Sequence, residues 1–131
     1  MREDCMKIFE AALKAVDPYE AVKGHLRLEG EVLSVPGWSL PLEGIKKVVV
    51  VGAGKASASM ALAVEEILGE RIEGGVIVVK YGHGRPLRRL ELIEAGHPIP
   101  DERGLEGARA VAEVVEGLGE DDLLICLISG G

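Results

Sequence analysis

The segment with the clearest chemical potential is a glycine-rich turn that ends in a lysine, at residues 52–57 (GAGKAS). It lies between the β-branched run 45–51 and a segment with helical spacing, which predicts a strand-to-helix turn. Gly52 and Gly54 allow the backbone to turn tightly and to approach a ligand, and the amides at a helix start favour an anion. Lys55 adds a positive charge at the same place, and this suits the neutralisation of a phosphoryl group.

Two common nucleotide-binding motifs fit this turn only in part. The dinucleotide-binding fingerprint requires glycine where Ser57 stands. The P-loop requires an earlier glycine in place of Val49, and serine or threonine in place of Ala56. By itself, the turn is therefore equally compatible with an anion site and with a plain helix start that carries an exposed lysine.

Two histidine-containing segments also follow predicted strands, at residues 81–84 (YGHG) and 96–101 (GHPIPD). The carboxyl ends of parallel strands meet at one edge of a sheet, and that edge forms the ligand crevice of open α/β folds. The favoured interpretation of the first segment is a surface connector that contains His83. His97 is equally compatible with a ligand-binding and a structural role, and Asp101 is expected to cap the next helix.

The fourth segment of interest is Ser129-Gly130-Gly131, which follows the last predicted strand. Backbone amides in such a turn can form a second anion-binding nest. Since it should lie at the same sheet edge as Lys55, we expect Gly52, Gly54 and Ser57 of the first turn to line one substrate or nucleotide site with residues 129–131.

Strands and helices alternate along the chain in the order that positions these segments. The pattern predicts helices at about 4–16, 18–26, 55–68 and 104–118, strands at 45–51, 75–79, 90–95 and 123–128, and a loop or small hairpin over 28–42 around Pro36-Gly37. This order predicts an α/β fold with an open, mostly parallel, doubly wound, Rossmann-like sheet. We expect a helical extension and loop over 1–44, strand–helix repeats over 45–131, and an apparently truncated domain, because a parallel strand normally continues into a crossover helix.

Composition limits the classes of function. The 131 residues suffice for one domain, and 47% hydrophobic residues with 3% aromatic residues indicate an aliphatic core suited to a buried parallel sheet. A net charge of −7 argues against nucleic acid as a partner. No apolar run approaches the ~20 residues of a membrane span, and a charged start without an apolar signal stretch makes the cytoplasm the expected location.

Several smaller expectations follow from single residues. Cys5 and Cys126 have no metal-binding spacing, so no metal site is predicted from the residues, and Cys126 is expected to be buried in its apolar run. Glu65 and Glu66 are expected to be exposed on their helix. The chain contains no Asn, Gln or Thr, which is a weak indication of a heat-adapted source.

The segments GAGKAS, KYGHG, AGHPIPDERG and LISGG, in this order, together resemble the amino-terminal domain of the glycerate 2-kinases, whose second domain is named for a MOFRL motif. The resemblance covers nearly the whole chain. It implies a Rossmann-like domain, a smaller second domain, and ATP-dependent, Mg²⁺-assisted phosphoryl transfer to the 2-hydroxyl of glycerate in the cleft between them.

The resemblance also implies roles for individual residues. Lys55 matches the lysine expected to neutralise the transferring phosphoryl group, and His97 lies in a GHP-x-PD segment of unassigned role. The residues of 129–131 match the opening of a glycine–serine turn expected to line the substrate or nucleotide site. The second domain implied by the resemblance is absent from the chain, which puts the activity of the isolated chain in doubt. The expected partners are glycerate, as a small-molecule substrate, and either a second copy of the chain or a missing carboxyl-terminal segment.

Two other classes of function stay open. A dinucleotide-binding oxidoreductase domain is favoured by the strand–turn–helix. It is disfavoured by Ser57, and by Lys80 at the end of the second strand, where a ribose-binding acid is expected. A non-catalytic remnant, or a subunit that needs a partner chain, is favoured by the abrupt end after the last strand.

Overall fold

A computed structural model of the chain describes residues 1–130, and Gly131 lies outside the described residues. The four α-helices of this described part are α1 (Arg2–Ala15), α2 (Pro18–His25), α3 (Ser57–Leu68) and α4 (Glu102–Glu116). Its seven strands are β1 (Arg27–Glu29), β2 (Val32–Val35), β3 (Trp38–Pro41), β4 (Val48–Ala53), β5 (Ile72–Lys80), β6 (Glu91–Ala95) and β7 (Leu123–Ile128).

The main sheet has the strand order β6-β5-β4-β7, and all its pairings are parallel. Helix α3 covers one face, where Val50, Ile77 and Val79 join its alanines and Val64 in the core. Helix α4 covers the other face at Gly107, where an added Cβ would lie 2.8 Å from a methyl group of Val78. Helices on both faces of an open parallel sheet confirm the predicted doubly wound α/β fold.

Strand β5 begins at Ile72, three residues before the predicted strand 75–79. Gly74 and Gly75 indicated a turn, but both lie within the strand beside a register shift against β4. An added Cβ at Gly75, where φ is +154°, would lie 1.7 Å from the carbonyl oxygen of Val50. The glycine is therefore required by the close approach of β4, which a local pattern does not reveal.

The segment predicted as a loop or small hairpin is a three-stranded antiparallel sheet, β1-β2-β3. Pro36-Gly37 forms the turn between β2 and β3, as expected, with Gly37 at a φ of +84°. Strand β1 was missed because its three residues are too few to show an alternating pattern. Leu33 and Leu42 of this region are buried in the same core as the main sheet.

The amino-terminal helix α1 contributes no buried residue, although its apolar residues recur at helical spacing. Ile8 and Phe9 are 71% and 58% exposed. No helix within residues 1–130 has both the length and the apolar character needed to cross a membrane.

Cys126 is exposed, which corrects the expectation that it is buried. It lies in β7, a strand at the edge of the sheet, on the face opposite Ile125 and Leu127, which pack toward α3. Helix α4 packs against β5 and β6, so it leaves this outer part of the face open, and Ile128 on the same face is 68% exposed. An apolar run predicts burial only where both faces of its strand are covered.

Glu65 is buried, which corrects the expectation that both glutamates of α3 are exposed. Its carboxylate accepts hydrogen bonds from the backbone N–H groups of Arg88 (2.9 and 3.0 Å), Arg89 (2.7 Å) and Leu90 (3.2 Å). The buried charge is thus satisfied by three amides of the segment that enters β6. Glu66 is exposed, as expected, and pairs with Lys23 at 3.3 Å.

We predict that Glu65→Gln destabilises the protein by about 1–3 kcal/mol, because the amide keeps only one acceptor oxygen for the three N–H donors that the carboxylate satisfies. The free energy of unfolding, measured by urea denaturation, tests this. Glu66→Gln is the matched control and should change the midpoint little, since its contacts are exposed. Equal effects of the two substitutions would contradict the role assigned to Glu65.

Candidate functional site

A cavity of about 200 Å³ opens at the carboxyl edge of the main sheet. It is lined by the residues that end or follow four strands and by the first turn of α4: Ala53, Gly54, Lys55, Val78, Val79, Lys80, Ala95, Gly96, His97, Gly104, Ser129 and Gly130. The structure thus brings together Lys55, His97 and the 129–130 turn, as the sequence predicts. Gly131, the last residue of that turn, lies outside the described residues.

The turn after β4 is joined directly to the end of β7. The Ala56 N–H donates to Ser129 Oγ at 3.1 Å, and the Ser129 N–H donates to the Ala53 carbonyl at 3.2 Å. Gly54 has a φ of +112°, and a Cβ there would lie 2.1 Å from Ser129 Oγ. Only glycine combines this backbone conformation with so close an approach, so the two segments form one wall of the cavity.

Ser57 and Gly52 have packing roles and do not line the cavity. The Ser57 side chain is fully buried, and its hydroxyl donates to the carbonyl oxygens of Gly54 (2.7 Å) and Val78 (3.3 Å). A Cβ on Gly52 would lie 2.9 Å from the Leu127 carbonyl oxygen. The geometry therefore gives no support to the ligand-contact role expected for these two residues. Both contact neighbouring backbone on the side of the turn away from the cavity.

The cavity is positively charged, although the chain as a whole is acidic. Lys55 is exposed and Lys80 is half-buried, and neither forms an ion pair with any described residue. The 22 acidic residues of the chain contribute no carboxylate to the lining given above. His97 is exposed at the rim, whereas His83 does not line the cavity. This charge distribution fits a small anion.

The size and donor set of the cavity limit what it can hold. Its volume lies below the roughly 300–1,000 Å³ of sites that enclose a drug-sized ligand. A small acid or a terminal phosphate therefore fits better than a whole nucleotide. Mg²⁺ prefers carboxylate ligands, and residues 1–130 contain no group of three or more Asp, Glu, His or Cys side chains suited to a metal ion. The described part of the site does not fit a Mg²⁺ ion.

Asp101 organises the loop that forms the far wall of the cavity. Its Oδ1 accepts the Gly104 N–H at 3.0 Å, which confirms the predicted cap of α4, and its Oδ2 accepts the Tyr81 hydroxyl at 2.9 Å. The backbone amide of Gly96, then the Tyr81 hydroxyl and the Gly104 amide, lower the pKa of the Asp101 carboxyl. The hydrogen bond between Tyr81 and Asp101 also raises the pKa of the Tyr81 phenol. Sequence reasoning found the cap but not the tyrosine, because the two residues belong to different loops.

A family model described as "Domain of unknown function (DUF4147)" matches residues 4–131 of the chain. The chain is 41% identical over its whole length to a protein named glycerate 2-kinase from Pyrococcus horikoshii, and 37% identical to a D-glycerate 2-kinase from Thermotoga maritima. It is also 41% identical, over 99% of its length, to a putative hydroxypyruvate reductase from Agrobacterium vitis. It spans 26–29% of the length of these three relatives.

A crystal structure of a protein from Pyrococcus horikoshii OT3 resembles this fold closely. The two share 42% sequence identity and a TM-score of 0.87 over 99% of this chain and 29% of the other. The arrangement of the described elements, including the strand ends that line the cavity, is thus similar to that of a solved protein.

We predict that the stabilising contribution of Asp101 depends on pH. Its carboxyl has a lower pKa in the folded than in the unfolded state, so its contribution is present above the unfolded value of about 3.9 and is lost as the pH falls through the folded value. The difference in unfolding free energy between the wild type and Asp101→Asn should therefore shrink from pH 6 to pH 3. Denaturation series at each pH measure it.

Tyr81→Phe is the companion variant, since it removes one donor to Asp101 and keeps the amides. Its difference from the wild type should also shrink on acidification, but from a smaller starting value. A difference for Asp101→Asn that is constant over this pH range would contradict the assignment.

Proposed function

We propose that this chain, which belongs to the DUF4147 family, forms the anion-binding wall of a glycerate kinase active site. In this proposal the family corresponds to the amino-terminal domain of the glycerate 2-kinases. The observation that carries the proposal is a cavity with two lysines and no carboxylate at the strand ends of a doubly wound sheet. The names of the relatives supply the substrate class, because they include glycerate 2-kinases.

The proposed reaction transfers the γ-phosphoryl group of ATP to the 2-hydroxyl of glycerate. The hydroxyl oxygen forms a bond to phosphorus, the bond from phosphorus to the β–γ bridging oxygen breaks, ADP leaves, and the hydroxyl proton is released. The products are 2-phosphoglycerate and ADP. In such reactions the protein mainly positions the groups and neutralises charge.

Lys55 is the residue we assign to charge neutralisation. It follows the tight turn at Gly54, its side chain is exposed, and no described carboxylate pairs with it. An ammonium group on this turn can neutralise charge that develops on the phosphoryl oxygens. Ser129 holds the turn from which Lys55 projects, since its hydroxyl accepts the Ala56 N–H.

The remaining cavity residues have supporting roles in this proposal. His97 stands at the rim, where its ring can donate to or accept from the glycerate hydroxyl or carboxylate. Gly130 offers a backbone amide to an oxyanion, and the same role expected for Gly131 lies outside the described residues. ATP is the proposed donor, and Mg²⁺ is expected from the resemblance alone, so we assign none of the cavity residues to it.

We predict that Lys55→Ala lowers kcat for glycerate phosphorylation about 100-fold or more, as the loss of one preorganised oxyanion partner does elsewhere. The measurement is ATP consumption in a coupled assay with D-glycerate, on the product of the complete reading frame. Lys47→Ala is the matched control, because Lys47 precedes β4 at the opposite edge of the sheet and should leave kcat unchanged. Unchanged turnover for Lys55→Ala would remove Lys55 from the mechanism.

A reductase is the second candidate function, since one relative is named a putative hydroxypyruvate reductase. Two features of the structure disfavour a dinucleotide. Ser57 occupies the third glycine position of the fingerprint and is buried against Val78, and β5 ends in Lys80 rather than in a ribose-binding acid. We therefore expect no saturable binding of NADH in a fluorescence titration of the protein. Saturable binding, together with NADH-dependent reduction of hydroxypyruvate, would favour the reductase instead.

A further inference from the structure

We propose that Lys80 is a second anion-binding residue of the cavity, which holds an oxyanion of the substrate, carboxylate or phosphate, together with Lys55. This inference rests on the proposed function and adds a residue to it. Sequence reasoning placed Lys80 at the correct sheet edge but gave it no role.

The register of the sheet brings the residues that precede the two lysines to the same level. Ala53 at the end of β4 pairs with Val78 of the neighbouring strand β5. Lys55 and Lys80 each follow these paired residues by two positions, and neighbouring strands are only about 4.8 Å apart. Both lysines line the same cavity as a result.

The direction of the Lys80 side chain follows from the alternation along β5. Val79 belongs to the core on the α3 side, whereas Val78 contacts Gly107 of α4 on the opposite side. Lys80 therefore projects from the same face as Val78, where Gly96 and Gly104 bound the cavity.

The charge of Lys80 lacks a protein partner among residues 1–130. The four ion pairs of this part of the chain involve other cations, and Asp101 belongs to none of them. The ammonium group of Lys80 is therefore available to an oxyanion that enters the cavity. Within residues 1–130, no acidic side chain lines the cavity.

The two lysines differ in burial, and this predicts different kinetic roles. Lys80 is half-buried on a strand, so it holds an oxyanion equally well before and during the reaction. Such uniform binding affects KM. Lys55 projects from the turn held by Ser129, and we assign it to the charge that appears only in the transition state, which affects kcat.

The test is a titration of the ¹⁵N-labelled protein with inorganic phosphate and, separately, with D-glycerate, followed by amide shifts. The wild type should show saturable shifts at Gly54, Gly96 and Gly104. Lys80→Met should weaken binding about tenfold or more, the loss of one charge-assisted hydrogen bond, and Lys80→Arg should retain most of it. Lys47→Met, at the opposite sheet edge, should bind as the wild type does.

Equal affinity of Lys80→Met and the wild type for both anions, or no saturable binding by the wild type, would overturn the proposal. The well-dispersed spectrum of a folded variant guards against loss of structure as the cause. A larger loss for D-glycerate than for phosphate identifies the substrate carboxylate as the partner of Lys80, and the reverse identifies a phosphate.

The kinase assay separates this proposal from the proposed function. If the protein has no glycerate kinase activity but Lys80→Met weakens phosphate binding about tenfold or more, the proposed function fails and the role of Lys80 stands. If the enzyme is active and Lys80→Met changes neither anion affinity nor KM, Lys80 fails and the proposed function stands.

Discussion

The close approach of Gly54 to Ser129 is the constraint on which the cavity depends. Strand β4 is paired on both sides, with β5 and with β7, so the turn that follows it lies among the ends of its neighbours. A side chain at residue 54 would displace the Ser129 hydroxyl and with it the bond to Ala56. The position of the Lys55 backbone is therefore fixed by the contacts of its neighbours Gly54 and Ala56 with Ser129, and not by contacts of the Lys55 side chain.

Local pattern was sufficient for most of the fold and failed where a distant contact decides the outcome. The strand at 123–128 has the predicted bounds, since its apolar run is flanked by charges and glycines. The start of β5 was missed because Gly74-Gly75 indicates a turn unless the approach of β4 is known. The burial of Glu65 depends on backbone amides 23–25 residues away, and no helical periodicity contains that information.

The sequence was sufficient to predict which strand ends meet at the candidate site. It was not sufficient to predict which side chains of those segments face the cavity. Lys55, His97, Ser129 and Gly130 line one cavity because parallel topology brings carboxyl ends together. The hydroxyl of Ser57 points into the turn instead, and a sequence gives no sign of the carbonyl groups that it meets there. The cytoplasmic location, the heat-adapted source and the oligomeric state stay predictions.

The pairing of β4 has a consequence for the order in which the chain folds. Val48 pairs with Ile72, 24 residues ahead, and with Leu123, 75 residues ahead. Closing the longer loop costs about 1 kcal/mol more in chain entropy, which favours early formation of β4–α3–β5 and late addition of β7. Ser129 would then reach Gly54 only in the last folding step. An anion that contacts both the turn after β4 and the turn after β7 would therefore bind the complete sheet and not the intermediate that lacks β7.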